Sequence, residues 1–150
     1  MRTSLFGLRH LALALFGIFL LNYTVWSQNL SGSLSGTLGP GTYYVVGTIG
    51  VMAGDSLAIE PGTNFLFNGD FDFNIYGKIT AVGTETDSIK FVQNPDSSNW
   101  NGIDFFETVS DSSRFEYCVF QGSSCIGMDF EGCGPTFRHC TITDNNSGGG

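Results

Sequence analysis

From about Tyr43 onward, apolar and polar residues alternate over short runs, and Gly, Pro, Asn and Asp separate the runs. Phe71-Asp72-Phe73-Asn74-Ile75 is the clearest case. A period of two puts every second side chain on one face, so the pattern predicts half-buried strands joined by tight turns. One stretch departs from it: Leu11–Leu21 contains no polar side chain. That run follows a basic start with Arg2 and Arg9 and precedes a polar-to-small exit at Val25-Trp26-Ser27, so residues 1–27 read as a cleavable signal peptide. Eleven residues fall short of the roughly 20 needed to cross a bilayer, and no Cys in residues 1–30 offers a lipid attachment point. The expectation is an exported protein, secreted or at the cell surface, with no membrane insertion once the leader is removed. Residues 28–42 are Ser/Gly-rich with little to bury, and read as a flexible lead-in.

The strand pattern repeats. Phe115, Tyr117, Cys118 and Phe120 are matched 22 positions later by Phe137, His139, Cys140 and Ile142, and Leu57 with Ile59 by Ile79 with Ala81. A period near 22 accommodates three short strands and three turns, and is too short for a propeller blade. Leucine-rich repeats share the length but require regularly placed Leu and an Asn slot, which this region lacks.

Residues 28–150 resemble the secreted right-handed parallel β-helix, or pectin-lyase-like, proteins. The resemblance rests on the stretch from Val51 to Thr63, on Gly77-Lys78-Ile79-Thr80-Ala81-Val82-Gly83-Thr84 followed by Ile89-Lys90-Phe91, and on Trp100-Asn101-Gly102-Ile103. It implies an all-β fold of about four coils over residues 43–150, cut short at its C-terminal end. Many such helices stack Asn side chains along one turn; here the equivalent slot holds Tyr117 and His139.

Taking Leu57, Ile79, Phe115 and Phe137 as one inward column sets a register. It predicts further inward columns of Phe73, Phe105 and Phe130, and of Phe67, Phe91, Phe120 and Ile142. Buried Phe columns of this kind are a sufficient explanation of the aromatic excess, without a ligand-binding aromatic box. The same register sets Asp72, Asp104 and Asp129 in an outward column at the strand spacing of about 4.8 Å. Such a column is tolerated if solvent screens it, if a hard cation such as Ca²⁺ bridges it, or if one carboxyl keeps a proton. The last case would make Asp104 and Asp129 a catalytic pair. Two insertions flank the column, Gln93–Asn101 and Glu107–Ser113, and make Ile79 and Phe115 36 residues apart. Trp100 in the first could stack on a glycan ring or pack at a coil corner. Glu116 and Arg138 are expected side by side as an ion pair.

Composition narrows the partners. Beyond residue 27, 14 acidic side chains face four basic ones, Lys78, Lys90, Arg114 and Arg138, for a net charge of −10. That balance disfavours nucleic acid, which needs clustered Lys/Arg, and leaves polysaccharides, cell-surface glycans and cations as partners. Among the four cysteines, Cys118 and Cys140 are expected as a stacked inward pair, and Cys125 and Cys133 bracket a turn where they could bond. Their spacing does not fit a zinc site, and no other cofactor is indicated. The sequence therefore predicts a non-catalytic structural, adhesive or glycan-contacting module. A polysaccharide lyase or glycoside hydrolase using the Asp face is the alternative.

Overall fold

The computed structural model describes residues 28–97, 100–106, 112–130 and 134–145, the side chains of 125–130 excepted. The leader lies outside the described residues, as do most of the Glu107–Ser113 insertion and Cys133. The described chain is all-β, with no helix.

Every strand pairing is parallel. One sheet has five strands: β2 (Gly36–Leu38), β4 (Ser56–Ile59), β7 (Lys78–Val82), β10 (Arg114–Glu116) and β13 (Thr136–Arg138), each lying on the next. The second sheet has nine strands and curls around β3 (Gly41–Val51), whose two halves serve different ladders. Its first half pairs with β5 (Thr63–Phe67), which leads to β8 (Ile89–Gln93), β11 (Cys118–Gln121) and β14 (Thr141–Thr143). Its second half pairs with β6 (Asp72–Ile75), which leads to β9 (Trp100–Phe105) and β12 (Ser123–Phe130). The chain visits the three ladders in rotation, consistent with a β-helix-like fold.

The Ser/Gly-rich segment expected as a flexible lead-in is part of this stack. β1 (Gln28–Ser33) pairs with both halves of β3, and β2 pairs with β4. Backbone ladders need no large side chains, so composition alone understated the order here. Elsewhere alternation behaves as expected: along β5, Thr63, Phe65 and Phe67 are buried while Asn64 and Leu66 are partly exposed. At Gly77 an added Cβ would collide with the carbonyl oxygens of Met52 and Asp55, so the turn between β6 and β7 requires glycine for close approach.

The core is aromatic. Tyr43, Phe65, Phe91, Phe120 and Ile142 hold successive positions on neighbouring strands. Phe65, Phe91 and Phe120 stack with centroids 5.0 Å apart and rings within 10° of parallel. Phe115 and Phe137 form a second stack, also at 5.0 Å. The columns differ from the expected ones by a slip of two residues in three places. Phe65, not Phe67, lies over Phe91; Ala81, not Ile79, lies under Phe115; Phe73 lies under Ile103, and Phe105 over Ile75. A two-residue slip keeps every side chain on its original face, so alternation cannot detect it.

Candidate functional site

The same slip reshapes the acidic column. Asp72 lies opposite Gly102, while Asp104 lies opposite Asn74 on one side and Asp129 on the other. Asn74 in turn lies opposite Gly50. The outward column therefore runs Gly50, Asn74, Asp104, with Asp129 next in backbone register, and an amide stands where Asp72 was expected. Asp72 faces Thr48 on the neighbouring strand, whose hydroxyl is 3.5 Å from both Asp72 Oδ2 and the Asp72 amide nitrogen. Replacing a carboxylate by an amide relieves one like-charge contact between neighbouring strands. Among the described residues, no three His, Cys, Asp or Glu side chains gather as a cation site.

Beside this column runs a feature that periodicity did not single out. Tyr76 and Phe106 follow the last residues of β6 and β9, and their rings stack at 4.2 Å and 9°. Both are half-buried, and the exposed Met52 likewise follows the last residue of β3. Tyr76 and Phe106 are 30 residues apart, as are Asn74 and Asp104, a spacing visible only once the register is known.

Trp100 has no surface to offer a glycan. It is 0% exposed, its indole stacks on Phe67 at 4.0 Å, and its Nε1–H donates to the Gln121 carbonyl at 3.0 Å. A buried indole whose N–H is satisfied is a packing element, so the corner role holds and the glycan role does not.

On the outer face of the five-stranded sheet, Ser112, Ser113, Arg114, Glu116, Thr136 and Arg138 line an open cleft of about 190 Å³. Arg114 is in register with Thr136, and Glu116 with Arg138. The expected Glu116–Arg138 neighbours are thus adjacent, but the ion pair that Glu116 makes among the described residues is with Arg114, at 4.0 Å. Arg114 is about half exposed, and a solvated pair of this kind contributes only about 0–1 kcal/mol. Ser113 forms the floor: it is buried, its Oγ accepts from the Ile79 amide at 3.1 Å, and its carbonyl accepts from the Thr136 amide at 3.0 Å.

Behind this sheet edge, Cys118 and Cys140 are free thiols on neighbouring layers. Their mutual hydrogen bond holds the Cys140 thiol down at about 6, against burial, which pushes it up. The same bond, aided by burial, holds Cys118 above the usual thiol range. The suggested Cys125–Cys133 bond lies outside the described residues. In the adjoining turn, Tyr117 and His139 stack at 4.7 Å and 13°, both with left-handed backbone, φ 50° and 52°. Two rings thus occupy a corner where an amide stack was the usual expectation. An amide contact occurs instead at another corner, where Asn94 Nδ2 donates to Asn68 Oδ1 at 2.5 Å.

Compared with known protein families, curated proteins and solved structures, the chain matches none.

Proposed function

We propose that this chain forms part of an exported right-handed parallel β-helix of the pectin-lyase-like kind, acting as a non-catalytic structural or adhesive module that contacts a glycan through its outer face. The observation that carries the reading is the rotation of the chain through three parallel ladders around one aromatic core. Such a stack repeats its outward positions at the strand spacing, about 4.8 Å, and so suits a long partner with a repeat of its own. Asn74 and Asp104 beside the half-buried Tyr76–Phe106 pair supply polar groups next to aromatic rings, the mixture a sugar polymer requires.

The test is direct: the full chain is offered pectin, alginate and chondroitin-type polymers, and both retention and product formation are followed. Retention of polymer without new reducing ends or unsaturated products is the expected outcome, with weaker retention by Asp104→Asn. No retention of any polymer would sink the glycan-contacting reading.

A second reading has one observation in its favour. Asp104 and Asp129 are directly opposite on adjacent strands, and carboxyls about 5 Å apart suit a retaining glycosidase. Hydrolysis or elimination abolished by Asp104→Asn would replace the first reading with this one.

A further inference from the structure

Two of the four basic side chains beyond residue 27 line the same cleft, in a stretch whose other charges are mostly acidic. Their arrangement follows from the strand register. Arg114 and Glu116 project from β10, and Thr136 and Arg138 lie opposite them on β13. Strands about 4.8 Å apart and alternate residues about 6.6 Å apart put the two arginines at diagonal corners, roughly 8 Å from one another at the backbone. The other two corners hold a hydroxyl, Thr136, and a carboxylate, Glu116. The Ser113 hydroxyl and carbonyl each accept from a backbone amide, which fixes the floor of the cleft.

The chemistry of those corners is selective. Guanidinium groups and hydroxyls donate hydrogen bonds to an oxyanion, and donors at three corners, two guanidinium groups and a hydroxyl, suit an anion with four oxygens better than a carboxylate with two. Glu116 does the opposite: it accepts, and it repels any fully ionised oxygen brought against it. With Glu116 offsetting one arginine, the cleft carries a net charge of about +1. A ligand that satisfies all of these groups is an anion that keeps an O–H of its own to donate to Glu116.

We infer that the cleft lined by Arg114, Glu116, Thr136 and Arg138 binds hydrogen phosphate, a tetrahedral oxyanion that keeps a proton at neutral pH. The cleft, about 190 Å³, has room for a phosphate ion. The acidity of the rest of the chain does not forbid this, because exposed charges more than about 8 Å away are largely screened at physiological ionic strength.

The experiment titrates the full chain with inorganic phosphate and with sulfate at neutral pH and matched ionic strength, reading the backbone amide shifts of Arg114, Thr136 and Arg138. Phosphate is expected to bind roughly tenfold or more tightly than sulfate, since sulfate has no proton to give Glu116. Arg138→Ala should remove most phosphate binding, and Arg138 is exposed, so an unchanged melting temperature will separate that loss from unfolding. Glu116→Gln should narrow the preference by improving sulfate binding. Glucose 6-phosphate, whose phosphoryl group is mostly without a proton at neutral pH, should bind no tighter than sulfate, and binding tighter than inorganic phosphate would overturn the inference. Equal responses to phosphate and sulfate, no response up to tens of millimolar phosphate, or full binding by Arg138→Ala would each overturn the inference.

Discussion

Cys140 is a thiol that its neighbours make more acidic than usual. A thiol held at about 6 by a hydrogen bond from Cys118 is mostly thiolate at pH 7, and the thiolate is the reactive form. Its alkylation rate should therefore rise as pH increases through about 6 and level off above pH 7, where an ordinary thiol would still be accelerating. Cys118→Ala removes the donor, so the inflection should move up toward the usual value near 9. Peptide mapping after timed iodoacetamide treatment separates Cys140 from the other cysteines, and an inflection unmoved by Cys118→Ala would refute the coupling. In the core, Phe91 stacks on Phe65 and Phe120 and meets Phe73 and Phe115 at an angle. Phe91→Ala should cost about 3–5 kcal/mol, read as a lower urea midpoint at unchanged slope.

Among the elements, the turns carry the tightest constraints. Gly77 and Gly83 both lie against backbone: a Cβ on Gly77 would strike the Met52 and Asp55 carbonyls, and one on Gly83 would come within 2.7 Å of the Tyr117 carbonyl. Gly134 has nothing within 4 Å. Gly77→Ala and Gly83→Ala should each lose roughly 1–3 kcal/mol of stability, while Gly134→Ala stays within about 0.5 kcal/mol of the parent. Equal midpoints for all three in urea denaturation would contradict this account of the turns. Strand identity and inward faces were legible because alternation encodes them, as Phe71 to Ile75 illustrates. Register was not legible, because a slip of two residues leaves alternation intact and the insertions between strands vary in length. That ambiguity misassigned Asp72 to the column of Asp104 and hid the pairing of Tyr76 with Phe106. The Glu116–Arg138 neighbours were found because no insertion falls between β10 and β13, yet Arg114 went unnoticed since nothing at the 22-residue spacing echoes its charge.

Across the whole molecule, each layer touches mainly the layers on either side, so stability accumulates along the stack and not through contacts between distant layers. Such a structure opens from its least supported parts, and local support differs strongly here. β5 and β8 are covered by strands on both sides and bury Phe65, Phe67 and Phe91. Among the described residues β1 pairs on one side only; it is almost wholly exposed and shifts register between Leu30 and Gly32. Native-state hydrogen exchange should therefore find the amides of β1 and β2 exchanging first and those of β5 and β8 last, with the second half of β3 in between. Phe91→Ala weakens the middle of the stack, so it should speed exchange in β5, β8 and β11 together while leaving β1 nearly unchanged. If every strand exchanged at one common rate, the layers would be opening as a single cooperative unit, and the layer-by-layer picture would fail.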